Sequence, residues 1–154
     1  MSLLHKHQIF IVTLSFWLIS NCSSSGSDLQ NSQVDVIRVI DGDTVVISNN
    51  QSVRLIGIDT PEKGRCGFDE AKQALEKLLS SGSATFYTGT TSDTDKYDRL
   101  LRYIQIEETD VGLKLIENGF AIARYDSRDG YGLHDRESQY IEADENSAPA
   151  VKCD

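Results

Sequence analysis

Six charged side chains stand where they could act together on a phosphate ester. Asp41 and Asp43 flank the glycine of "DGDT", Arg54 opens the run "RLIGIDTPE", and Asp59 and Glu62 close it. Arg99 ends the polar stretch "TSDTDKYDR". Two carboxylates with nearby backbone carbonyls suit a hard, oxygen-binding cation such as calcium. A planar guanidinium grips a phosphate through two parallel hydrogen bonds. A further carboxylate near such a cation, here Glu62, can orient or deprotonate a water.

Each motif also has an ordinary reading. "DGDT" alone is a tight turn. Asp59-Thr60-Pro61-Glu62 suits a helix N-terminus, with Asp as cap, Pro in the first turn and Glu completing a capping box. Yet Lys63 to Gly67 carry two glycines and no apolar periodicity, which places the carboxylates on a strand-to-loop corner. An arginine in so acidic a chain defaults to a surface ion pair.

The elements that must position these residues follow from hydrophobic periodicity. "VDVIRVIDGDTVVIS" holds two apolar runs around Asp41-Gly42, a hairpin signal. "SNNQS" makes a second turn into a strand from Val53 to Ile58, so three strands form a meander. The second strand is antiparallel to both neighbours, which brings its start beside the end of the third. Asp43 and Asp59 therefore converge. A helix over Phe68–Leu79 follows, with Ala71, Leu75, Leu78 and Leu79 on one face, and stops near Gly82. "SATFYTGT" and "LLRYIQIEE" read as two more strands. "DVGLKLIENG" is a short helix with Asp110 as N-cap and Gly119 past its end. "FAIARY" is extended, "SRDGYG" is a loop, and Leu133 to Asp144 form a last, weaker amphipathic helix. His134 reads as a surface residue. Five short strands with helices inserted late predict a small closed Greek-key barrel with packed helices.

The 154 residues, 39% of them hydrophobic, fit one compact domain with an appendage. In "MSLLHKHQIFIVTLSFWLISNCSSSGS" a short basic start precedes an apolar run from Ile9 to Ile19, which suits a signal peptide over residues 1–21. "LISNC" resembles a bacterial lipoprotein box with Cys22 as the lipidated residue, although Asn21 departs from the usual small residue. Residues 22–33 would be a flexible Ser-rich tether and 34–154 the folded domain. Removing residues 1–21 takes away one lysine and no acid, so the net charge moves from −9 to −10. Such a chain is a poor non-specific binder of nucleic acid, and an anionic substrate needs a local basic site or a metal.

In order, "VIDGDTVVI", "VRLIGIDTPE", "TDKYDRLLRYI" and "IENGFAIARY" resemble the staphylococcal nuclease (thermonuclease-like) family over roughly residues 34–145. The resemblance implies an α+β fold: an OB-fold-like five-stranded β-barrel with three packed α-helices. It implies a calcium-dependent hydrolase of DNA or RNA phosphodiesters that leaves 3′-phosphate ends. Asp43 and Asp59 would bind Ca2+ through carboxylates and Thr60 through its carbonyl, with Asp41 supporting them. Glu62 would act on the attacking water, and Arg54 and Arg99 on the phosphate. Lys96 and Tyr97 would contact a terminal phosphate, and Tyr125 would pack near a base. Barrel curvature would bring Arg54 and Glu62 to one pocket. Asp98 stands where the family usually has glycine, beside Arg99. The expected protein is a monomer, exported and anchored to the membrane through its lipid, or freely secreted. The alternative is a catalytically weak binding module of the same fold on the cell surface.

Three cysteines are present. With Cys22 lipidated, Cys66 and Cys153 remain to form a disulfide in an oxidising compartment. Intact mass of the mature protein tests the anchor: Cys22 is expected to be N-terminal and to carry a lipid. A soluble exported form with no lipid mass on Cys22 would refute it.

Overall fold

Branched and aromatic residues at alternate positions build the strands, and short polar turns punctuate them. The computed structural model describes residues 32–90 and 92–153. The expected signal peptide, Cys22 and most of the tether lie outside the described residues. The strands are β1 (Ser32–Gln33), β2 (Val36–Val39), β3 (Thr44–Ile47), β4 (Ser52–Leu55), β5 (Ile58–Asp59), β6 (Ala84–Tyr87), β7 (Leu100–Ile106), β8 (Thr109–Asp110) and β9 (Ile122–Ala123). The helices among the described residues are α1 (Phe68–Leu79), α2 (Val111–Glu117) and α3 (Glu137–Asn146). None of these helices is long and apolar enough to cross a membrane. Ser32–Gln33, expected in the tether, instead pair with Phe86 and Thr85.

The main sheet runs in the order β1-β6-β7-β4-β3-β2, with β8 added to β7. All its pairs are antiparallel except β4–β7, which run parallel with Arg54 opposite Leu101. That one parallel contact joins the early meander to the late hairpin and curls the sheet around its apolar face. The result is the expected OB-like α+β fold. Val45, Ile47, Val53, Phe86, Ile104 and Leu115 are fully buried at its centre. α1 closes one side through buried Ala71 and Leu75, and Asp69 and Glu70 suit the positive end of its dipole. Asp110 caps α2 by accepting from the Leu113 N–H at 3.2 Å. The same carboxylate accepts from the Tyr140 hydroxyl and from Arg136, tying α2 to α3.

The strand expected over Val53 to Ile58 is broken. Ile56 and Gly57 leave the sheet, and β5 turns away to pair with β9. Gly57 sits at φ 75°, which a residue with a Cβ rarely adopts. A Cβ there would also lie 2.5 Å from the His134 ring. His134 is therefore not a surface residue as expected: it is 3% exposed and fills the inside of this corner. Its Nδ1 and the Tyr103 hydroxyl share a 2.7 Å hydrogen bond. α3 starts at Glu137 rather than Leu133 and runs to Asn146, with Arg136 in a non-helical conformation before it. Cys66 and Cys153 are joined by a disulfide across 87 residues of chain. Closing such a loop contributes about 4–5 kcal/mol in the chain-entropy account.

Burial holds the His134 pKa below its ordinary value, outweighing the opposite pull of Glu137, Asp126 and Asp135. The unfolded chain then binds the proton first, so stability is full above the ordinary histidine pKa and falls as pH drops through it. The other two histidines, His5 and His7, precede the described domain. Urea midpoints measured between about pH 7.5 and pH 5.5 should fall toward acid. A flat profile would contradict the neutral buried imidazole.

Candidate active site

The corner at Gly57 decides where Arg54 points. β4 carries Arg54, the chain bends, and the side chain folds back over the bend. Its Nη1 donates to the Leu55 carbonyl at 2.7 Å and its Nη2 to the Ile58 carbonyl at 2.9 Å. Nε lies 3.1 Å from Asp43 Oδ1, and Nη2 lies 3.5 Å from Asp59 Oδ1. Arg54 and Asp43 are both buried, and Asp59 is half-buried. The surface ion pair read for a lone arginine is therefore the wrong picture for Arg54. The bend in the strand draws Arg54 and Asp59 to one place.

Asp43 has partners besides Arg54. Its Oδ2 accepts from the Thr60 N–H at 3.0 Å and the Thr60 hydroxyl at 2.8 Å. Its Oδ1 accepts from the Thr44 hydroxyl at 3.1 Å. Asp41 Oδ1 accepts the Asp43 N–H at 3.1 Å and so shapes the hairpin turn that presents Asp43. Arg99 reaches the same cluster, with Nη1 3.4 Å from the Thr44 hydroxyl. The run Arg99–Thr44–Asp43–Arg54–Asp59 is continuous.

Asp95 holds Arg99 in that position. Its Oδ2 lies 2.7 Å from both Nε and Nη2, and its Oδ1 takes the Tyr97 and Arg99 N–H groups. Burial pushes the Asp95 pKa up, but the hydrogen bond from Arg99 and those from the backbone outweigh it and leave the pKa low. Asp98, beside Arg99 in the chain, sits at the turn with φ 59°, the region that favours glycine. The sequence reading missed Asp95, although its place four residues before Arg99 was a usable signal.

Tyr97 stacks under Arg99, 5.4 Å from guanidinium carbon to ring centre, with Lys96 Nζ 5.0 Å over the same ring. On the opposite flank of the run, Tyr125 lies under Arg54 at 5.4 Å. Tyr125 adopts φ 59°, rare for a bulky residue, and its N–H donates to Asp129 at 2.8 Å. Burial, then the nearby Asp59 charge, raises the Tyr125 hydroxyl pKa above its ordinary value. Tyr131, which the sequence did not single out, packs edge-on to Tyr125 at 5.4 Å. Glu62 is exposed on the loop after Asp59.

The site holds more negative charge than Arg54 can offset. Desolvation raises the Asp59 pKa; Arg54 opposes the rise, and Asp43 and Glu62 add to it. Desolvation, then the Asp43 charge, raises Asp41. Such hard oxygen donors fit a hard cation. Among the described residues no three acidic, histidine or cysteine side chains enclose a metal by themselves. The donor set would then need backbone carbonyls and water beside Asp43 and Asp59.

Residues 52–152 match the family model described as staphylococcal nuclease homologue. The thermonuclease of Staphylococcus intermedius is 30% identical over 128 residues, 76% of this chain and 76% of that protein. The thermonuclease of Staphylococcus hyicus is 29% identical over 142 residues, 85% of this chain and 83% of that protein. The SPbeta prophage-derived endonuclease YokF of Bacillus subtilis is 28% identical over 131 residues, 77% of this chain and 42% of that protein.

Breaking a buried ion pair from one side leaves the other charge uncompensated. Asp43→Ala should therefore cost about 3 kcal/mol by urea unfolding in the presence of a chelator. The exposed Lys114–Glu117 pair, 3.0 Å apart, is the control. Glu117→Ala should cost less than about 0.5 kcal/mol. Equal losses from the two variants would remove the buried network as the organiser of the site.

Proposed function

Because this chain belongs to the staphylococcal nuclease family and is a phosphodiester-hydrolysing nuclease, we propose that it cleaves DNA or RNA with calcium and leaves 3′-phosphate ends. The observation that carries the reading is Arg54 bracketed by Asp43 and Asp59, with Arg99 reaching the same carboxylate through Thr44. Two guanidiniums and an acidic pair share one small site.

Asp43, Asp59 and the Thr60 carbonyl would hold the calcium. When bound, that ion supplies positive charge to a phosphate oxygen and to a water. Arg54 is already fixed by two carbonyls and two carboxylates, so it needs little reorganisation to face the charge building on the phosphoryl oxygens. Arg99 is more exposed, with 28% of its side chain open, and is the freer phosphate donor. Glu62 orients the attacking water and accepts its proton. The new P–O bond forms as the P–O5′ bond breaks, and the leaving oxygen takes a proton. Tyr97 and Lys96 on one flank and Tyr125 on the other offer stacking and charge to the strand on either side. With a net charge of −9, the protein has little general attraction for a duplex. Flexible single strands, which can fold into the site, are the favoured substrate.

Cleavage of single-stranded DNA should appear with calcium and stop with a chelator. Glu62→Gln and Arg99→Ala should each lower kcat at least about 100-fold with the circular dichroism spectrum unchanged. Wild-type rates in both variants would sink the assigned roles. Products lacking a terminal 3′-phosphate would sink the assigned bond cleavage.

A further inference from the structure

Glu62 sits on a segment that little else holds. From Thr60 to Gly67 the chain leaves β5 and reaches α1 without regular structure. Thr60 is anchored on Asp43, but Glu62, Lys63, Gly64, Arg65 and Cys66 are all exposed. Gly64, at φ 82°, has open space where a side chain would be. Internal bonds are those of local turns, such as Arg65 N–H to the Glu62 carbonyl at 2.9 Å. A segment with so few buried contacts opens easily.

The partner segment is different. Residues 147–153 lie across the end of α2, where the Ala150 N–H donates to the Gly119 carbonyl at 3.0 Å. A Cβ on Gly119 would lie 2.0 Å from the Ala148 carbonyl oxygen, so the contact is close. The Cys66–Cys153 bond thus ties a loose loop to a seated segment. Between them runs a groove of about 590 Å³, lined by Asp59, Glu62, Phe120, Val151 and both cysteines. The groove shares Asp59 and Glu62 with the site and carries the disulfide in its wall.

We infer that Cys66 and Cys153 are positioning residues for Glu62, so that the nuclease turns over fast only when the two are oxidised. The inference rests on the water-handling role of Glu62. A dithiol reductant breaks the Sγ–Sγ bond: its two thiols become a disulfide, and two electrons and two protons pass to the cysteines. The loop is then released four residues after Glu62. A displacement of the order of 1 Å in a reacting group costs up to about 100-fold in rate. The consequence is a nuclease held slow wherever dithiols keep its cysteines reduced.

The test compares oxidised and dithiol-reduced protein at a temperature where circular dichroism shows both folded. Reduction should lower kcat on single-stranded DNA about tenfold and leave KM within about twofold. Reoxidation should restore it, and amide exchange over residues 62–66 should quicken on reduction. The double variant Cys66→Ser/Cys153→Ser should match the reduced protein without reductant, which separates the effect from metal binding by the dithiol. In Glu62→Gln, reduction should change the residual rate by less than about twofold, because the group being positioned is gone. Equal losses in both backgrounds, an unchanged wild-type kcat with two free thiols counted, or unfolding on reduction would each overturn the proposal. No cleavage by the oxidised protein would overturn the nuclease reading itself; unchanged amide exchange would overturn the positioning role alone.

Discussion

A guanidinium has been taken out of water at Arg54, and much of the architecture around the site follows from what that requires. An unpaired buried charge costs several kcal/mol, so it must meet fixed acceptors on every side. Asp43 provides one from the first hairpin, Asp59 another from beyond the bend, and the Leu55 and Ile58 carbonyls fill the rest. These acceptors come from three places in the chain, and they meet only if the strand after Arg54 turns sharply. Gly57 makes that turn, and the His134 ring packs where a side chain would have been. The Tyr103–His134 bond and the start of α3 are therefore part of the same construction as the site.

The network satisfies Arg54 and leaves the acids in excess. Asp41 and Asp59 are both pushed toward the protonated form by burial and by neighbouring carboxylates. Structural stability alone does not call for that arrangement; a balanced pair would serve it better. Clustered, desolvated acids beside two guanidiniums are an arrangement characteristic of functional sites. The same imbalance extends to the chain as a whole, at −9, so its general attraction for an anionic polymer is weak.

Rigidity is distributed unevenly. Arg54 and Asp43 sit on strands of the main sheet, and α2 is locked to α3 through Asp110, Tyr140 and Arg136. Glu62, Lys96 and Tyr97 sit on exposed loops. Arg99 stands between these extremes, held by a carboxylate four residues away rather than by the core.

Much of this was legible in the residues. The Asp-Gly hairpin, the α1 face of Ala71 and Leu75, the Asp110 cap and the convergence of Asp43 with Asp59 all rest on local rules: turn chemistry, periodicity and the antiparallel geometry of a meander. Those rules act over a few residues, so a single sequence carries them. The bend at Gly57 was read through as continuous strand, because its reason is a histidine 77 residues later that no local pattern announces. His134 itself was misplaced for the same reason: a polar residue between glycines and acids looks solvated until a core tyrosine is found to hydrogen-bond it. Asp95 was overlooked beside Asp98 because choosing between two nearby acids depends on which backbone conformation each adopts. What the sequence determined by itself was the set of elements and the chemical types available to the site. Which charges are buried together was decided by long-range packing, since desolvation is a property of the assembled surroundings and not of any segment.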